Sequence, residues 1–314
     1  MRKLGRYLLS VAVLVVAASL AASAEEPAAK AAGAAAVESL YPGLATAVLT
    51  FSVPAELPEG LLVRAGDVTI DRKTLEAEIM KAPEEMRGQL RKNGLFVAEQ
   101  LAGKDIVLSE ARKDSAARGI DSAGKSDQDV IQGYAERIVK DVQVTDAEAQ
   151  KFYAENKDVC GTATLDQMSG QIKQYMLGGK RQAAIAERVR SLGKSRPIEV
   201  SAAWVKEQAL LAKDNPVDKA RSSGKPSVVD FGADGCRPCD MMTPVLAALQ
   251  AKYEGKANIF FVHVRKEQVL AARYGIESIP VQVFFDKDGT EVFRHIGFFP
   301  QDEIEKKLSA MGVE

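Results

Sequence analysis

The sequence predicts a mostly α-helical domain over residues 61–204, followed by an α/β domain over residues 205–314. The second is expected to hold a mixed central sheet flanked by helices. Three observations lead there. At 314 residues, 46% hydrophobic and 27% charged, the chain suits two globular domains. Apolar residues between Leu75 and Leu101 recur four apart, as on one face of a helix: Leu75 with Ile79, Met86 with Leu90, Val97 with Leu101. After Pro197 the pattern becomes strand, helix, strand, helix, hairpin, helix, which makes a mixed sheet covered on both faces.

The first residues read as an export signal. Arg2, Lys3 and Arg6 precede an apolar run from Leu8 to Leu20, and Ala22-Ser23-Ala24 is a small-x-small cleavage site. The run is short for a spanning helix. Residues 1–24 are therefore expected to be a cleaved signal peptide, sending the protein to the periplasm or cell envelope. An uncleaved inner-membrane anchor is the alternative. No cysteine lies near the site to carry a lipid. Residues 25–60 read as an Ala- and Pro-rich linker, with no element assigned around Pro42, Pro54 and Pro58.

Val63 to Ile70 reads as two extended pieces around a Gly66-Asp67 turn. Helices follow, with a break at Pro83 and an end near Gly119. Asp121 to Asp127 is a polar linker. Thr145-Asp146-Ala147-Glu148 is a capping box, in which the Thr hydroxyl and the Glu carboxylate each cover an exposed backbone N–H. It opens a helix through Phe152 and Tyr153. Leu165 to Leu192 is another helix, with Gly178-Gly179 expected as a weak point. A helical stretch from Trp204 to Ala212 leads to Asn215-Pro216. Strands are expected at 227–231, 259–264, 281–285 and 291–296, the last two joined by the Asp286-Lys287-Asp288-Gly289 turn. A long helix starts at a cysteine pair and runs to Lys252, and a closing helix spans 301–311.

The net charge of −1 offers no basic surface for nucleic acid. Three cysteines are too few for a disulfide scaffold, so Cys236-Arg237-Pro238-Cys239 is expected to do chemistry. A helix N-terminus presents unpaired N–H groups and partial positive charge, which favour a thiolate over a thiol. The spacing lets the second sulfur reach the first. Pro238 fixes φ at the start of the helix, and Arg237 adds positive charge. Two other readings stay open. The pair could be half of a zinc site completed from Cys160, His263 and His295, although no second Cys-x-x-Cys or Cys-x-x-His exists. It could also be a structural disulfide in an oxidising compartment. Cys160 reads as a small buried apolar residue, with a third redox thiol as the sharper alternative. His263 and His295 fall in strand patterns and read as structural.

The stretch Val228 to Met242, enclosing Asp230 and the cysteine pair, resembles the active-site strand and helix of thioredoxins. Pro244 matches their helix-kinking proline, Tyr274 to Pro280 the segment that ends in their cis-proline, and Gly297 the glycine after the last strand. The resemblance covers about residues 205–314. It implies a thioredoxin fold and thiol–disulfide exchange through a redox-active disulfide, with no other cofactor. Cys236 would attack, Cys239 would resolve, and Asp230 would exchange a proton with Cys239. Pro280, in cis, would present backbone to a bound peptide together with Ile279, beside Arg237. One departure is Gly235, where the family usually has Trp.

Residues 61–200, notably Val63 to Thr69 and Val144 to Lys157, resemble the N-terminal chaperone region of exported parvulin-type prolyl isomerases, the SurA and PpiC group. Thr164 to Leu192 then resembles that family's returning helix. No room remains for an isomerase domain of roughly a hundred residues, so no isomerase activity is expected. The expected function is an exported disulfide reductase with a fused peptide-binding domain. Its substrates would be exported proteins with thiols or disulfides, and a membrane partner would supply electrons. The alternatives are a holdase or assembly chaperone with an incidental dithiol, and a disulfide oxidase or isomerase.

Overall fold

A computed structural model of the chain describes residues 35–155, 157 and 163–314. The expected signal peptide, residues 25–34 and Cys160 lie outside the described residues.

The linker expected over 25–60 gives way to folded chain at Val37. Helix α1 (Val37–Leu40) and a 3-10 turn (Val48–Phe51) precede strand β1 (Val53–Ala55). Val37, Leu44, Val48 and Leu49 are fully buried. Pro54 disguises β1 in the sequence, and β1 tolerates it as an edge strand. Strands β2 (Leu61–Ala65) and β3 (Val68–Asp71) form the hairpin expected around Gly66. Strand β4 (Glu199–Ser201), which had no sequence signal, completes a sheet ordered β1-β4-β2-β3.

Among the described residues, six helices lie between β3 and β4: α2 (Arg72–Met80), α3 (Glu84–Lys92), α4 (Gly94–Ala117), α5 (Asp127–Val139), α6 (Asp146–Glu155) and α7 (Leu165–Lys194). Helix α8 (Ala202–Ala212) follows β4. Asp71 caps α2 by accepting from the Thr74 N–H at 2.6 Å. Helix α4 runs through the middle and buries Leu95, Ala98, Ala102 and Ile106. Its Glu99 is buried too. The Glu99 carboxylate accepts from the backbone N–H groups of Thr46, Ala47 and Leu49, each at 2.8 Å, and from the Thr46 hydroxyl at 2.9 Å. These bonds tie the N-terminal segment to the helical core. Trp204 and Val205 of α8 pack into the same core, so this helix belongs structurally with the first unit.

Gly178-Gly179 does not interrupt α7, which is continuous over 30 residues. A Thr164–Gln167 capping box starts it, and open space surrounds both glycines. Gly costs about 1 kcal/mol relative to Ala in a helix interior, a loss that a helix of this length absorbs. Gly178→Ala and Gly179→Ala should each stabilise the chain by about 1 kcal/mol. Urea denaturation followed by circular dichroism would read this as a higher midpoint.

The second unit begins with α9 (Pro216–Arg221), capped by the Asn215 side chain. Strand β5 (Ser227–Gly232), α10 (Arg237–Lys252), β6 (Asn258–His263), α11 (Gln268–Arg273), β7 (Val281–Phe285), β8 (Glu291–Ile296) and α12 (Gln301–Ala310) follow. The sheet order is β6-β5-β7-β8, with β5 parallel to β6 and the other pairs antiparallel. Side chains alternate between the faces. Val228 and Phe284 pack with Met242, Leu246 and Leu249 of α10 and with Ile304 and Leu308 of α12. Val229, Phe231, Val283 and Phe285 pack on the other face with Val217, Leu270 and Tyr274. This is the mixed sheet with helices on both faces that the element order predicts.

The two units meet along α11. Val269 and Ala272 pack against Ala82, Met86, Leu90 and Phe96. Beside them Arg273, only 3% exposed, donates to the Gly43 carbonyl at 2.8 Å, to the Ala212 carbonyl at 2.9 Å and to Asp218 at 2.8 Å. The Tyr274 hydroxyl donates to the same Asp218 at 3.0 Å.

Candidate active site

Strand β5 delivers the chain to the start of α10, where Cys236 is the N-cap residue. Its Sγ accepts from the Cys239 N–H at 3.3 Å, so the sulfur takes up one of the otherwise unpaired donors of the helix end. Cys236 and Cys239 are joined as a disulfide with Cα atoms 5.2 Å apart. Cys236 is half-buried and Cys239 is buried. The first cysteine of the pair is thus partly open to solvent and the second is enclosed. Arg237 is exposed at the rim.

The peptide bond between Ile279 and Pro280 is cis. The Ile279 carbonyl lies 3.9 Å from Cys236 Sγ, and the Pro280 carbonyl accepts from the Gly297 N–H at 2.8 Å. The dithiol, Ile279, Pro280 and Gly297 therefore meet at one end of the sheet, although they are far apart in sequence.

Asp230 lies on the α10 face of β5 and has no solvent exposure. Burial pushes its carboxyl up to about 6, and a hydrogen bond from Gln282 opposes that shift. Gln282 is its register partner on β7, and its Nε2 donates to Asp230 Oδ1 at 2.6 Å. Asp230 Oδ2 is buried with no hydrogen-bond partner. Gly232, two residues along the same face, has room for no side chain: a Cβ there would stand 2.8 Å from the Phe261 ring and 3.3 Å from Cys239 Sγ. Cys239 thus sits over the face that carries Asp230.

Gly235 has φ of 73°, in the left-handed region that favours glycine. That conformation accounts for the absence of a Trp there, since a bulky side chain would be strained. His263, expected to be structural, pairs its Nε2 with Asp234 at 2.9 Å beside the cysteine loop, and this holds the Asp234 carboxyl below its usual range. His295 stacks on Phe299, and burial holds its imidazole pKa down. His263 and His295 do not converge on the cysteines as ligands: among the described residues, no group of three or more His, Cys, Asp or Glu could hold a metal ion. Gln282 and Phe261 belong to no motif in the sequence. The signal for Gln282 was present, as one amide inside the apolar run Val281 to Phe285.

The folded acid form of Asp230 sets a pH dependence. Its carboxyl rises from 3.8 to about 6 on folding. Its contribution to stability is therefore full below 3.8 and is lost as pH rises through 6. Asp230→Asn should be more stable than the parent at about pH 8, by about 2–3 kcal/mol. The difference should vanish by about pH 4, as urea denaturation at the two pH values would show.

A half-open dithiol at a helix N-terminus, a buried acid behind it and a proline carbonyl segment in front define a thiol–disulfide oxidoreductase. A family profile described as a thioredoxin-like domain matches residues 214–312. Thioredoxin from Staphylococcus aureus (strain Mu50) is 43% identical over 81 residues, which are 26% of this chain and 77% of that protein. Among solved structures, thioredoxin NaTrxh from Nicotiana alata is 33% identical over 30% of this chain and 80% of its own, with a TM-score of 0.28. A thioredoxin mutant from Halobacterium salinarum is 30% identical over 31% and 83%, with a TM-score of 0.29. Through this domain the chain belongs to the thioredoxin family.

Proposed function

We propose that this protein is an exported disulfide reductase that acts on polypeptides presented by its helical part. The observation that carries the catalytic reading is the asymmetry of the pair: Cys236 half-exposed beside the Ile279 carbonyl, Cys239 buried over Asp230. In the reduced protein, the Cys236 thiolate attacks a substrate disulfide and forms a mixed disulfide, releasing the first substrate thiolate. Cys239 gives its proton to Asp230, and its thiolate attacks Cys236 Sγ. The bond to the substrate breaks, and the second substrate sulfur leaves with the electron pair and takes a proton from solvent. Two electrons pass from the dithiol to the substrate, and the Cys236–Cys239 disulfide forms. Ile279 and Pro280 offer backbone to the substrate chain, with Arg237 at the rim.

The direction rests on Pro238 and buried Asp230, which favour reduction against the opposing charge of Arg237. Export rests on residues 1–24. A reductase outside the cytoplasm needs a membrane partner to renew its electrons. The reading of the helical part as a peptide cradle rests on its likeness to the SurA and PpiC chaperone segment. Its position supports the same reading: the Gln182 side chain of α7 hydrogen-bonds Glu277, three residues before Pro280.

The deciding experiment is the reduction potential of the Cys236–Cys239 couple, measured against glutathione, together with insulin reduction in dithiothreitol. A value near about −270 mV fits a reductase, and one near about −120 mV would make the protein an oxidant. No insulin reduction would overturn the enzyme reading. Aggregation suppression that survives loss of both cysteines would then point to the holdase.

A further inference from the structure

We propose that Gln282 is a positioning residue for proton transfer at the dithiol, holding the Asp230 carboxylate so that its second oxygen serves Cys239. This rests on the thiol–disulfide reading of the site. The register places Phe261, Asp230, Gln282 and His295 in one row across β6, β5, β7 and β8. Paired residues in a sheet share a face, here the face toward α10. Asp230 and Gln282 are both fully buried. Nothing in the packing of that face calls for an amide there, since its same-face neighbour on β7, Phe284, is apolar and buried. A buried amide is costly unless it is bonded, and this one spends a 2.6 Å hydrogen bond on Asp230 Oδ1. An ionised carboxylate only accepts, so the Gln282 NH2 is the group that faces it. That bond leaves Asp230 Oδ2 without a partner, and Gln282 Oε1 is likewise buried without one.

The groups facing Asp230 are few. From α10, Cys239 sits over this face, its Sγ beside Gly232. From β6 the opposing residue is Phe261, with His263 further along, tied to Asp234. From β8, His295 lies beyond Gln282 and directs its Nε2 to the Phe298 carbonyl. No lysine or arginine stands in this row, and the Gln282 amide is the group that bonds the carboxyl. A hydrogen bond to the charged form favours ionisation. Gln282 thereby keeps a buried acid able to accept the Cys239 proton near neutral pH. When Cys239 S–H breaks, the proton moves to Oδ2. The electron pair stays on sulfur and forms the Cys236–Cys239 bond, and the substrate sulfur leaves.

The test uses the full chain with Asp230 followed by carboxyl-carbon NMR in the oxidised state, beside the pH profile of insulin reduction. Gln282→Leu should move the Asp230 midpoint up by about one pH unit, since a bond to a charged group is lost. The rate profile should move by the same amount. In an Asp230→Asn background, Gln282→Leu should leave the profile unmoved. Gln282→Asn serves as a second variant that keeps an amide on the strand, and its shift should be smaller than that of Gln282→Leu. Three results would overturn the proposal: an unmoved midpoint, a midpoint that moves without the rate profile, or a profile shift that persists in the Asp230→Asn background. Failure of the parent protein to reduce any disulfide would instead overturn the reading on which it rests.

Discussion

Cys236→Ser should lower disulfide exchange by at least about a thousandfold. The hydroxyl that replaces the thiol is not ionised near neutral pH, and the N-terminal charge of α10 does not change that. Cys239→Ser should fail differently. Its Cys236 remains half-exposed and capped by the helix N-terminus, so attack on substrate proceeds while release does not. Mixed disulfides with client proteins should accumulate and appear on non-reducing gels as bands that dithiothreitol removes. Cys236→Ser should give no such bands. Equal trapping by both variants would mean that the buried sulfur also reaches substrates, and the assigned roles would fall.

Arg273→Met should cost about 3 kcal/mol, because it takes the closest cation from a buried carboxylate. Asp218 would keep the Tyr274 hydroxyl, the Asn215 amide and Arg221 at 3.7 Å but lose its closest guanidinium, the Gly43 carbonyl would lose its donor, and the Ala212 carbonyl would keep only Asn215. The loss should appear as a lower urea midpoint. It should also appear as faster hydrogen exchange in both units, since Gly43 and Ala212 belong to one and Asp218 to the other. A change confined to residues 214–312 would show that the contact does not couple them.

The α/β domain was legible because local and long-range signals agreed there. Apolar runs at 227–231 and 281–285 have the length of buried strands, and Asp286 to Gly289 is a strong turn. The dithiol could be found because its spacing has a chemical reason. Elements made by distant pairing were harder. β1 and β4 are three residues each and exist by pairing with each other, β4 also with β2, and Pro54 and Pro58 disguise that stretch. Glu99 likewise gave no sign of anchoring Thr46 to Leu49, since a Glu in a helix normally faces water. Gln282 could be read as polar, but its partner Asp230 became visible only with the strand register.

The packing of Trp204 has a practical consequence for experiments. It is the single tryptophan of the chain, and it is buried in the helical core with α4 and β4 rather than beside the cysteines. Indole emission should therefore be nearly blind to whether the dithiol is oxidised or reduced, and should report only when the helical unit melts. The chain thus carries an optical probe for one half and a thiol probe for the other. Denaturing both redox forms side by side would show how much of the redox energy reaches the distant core.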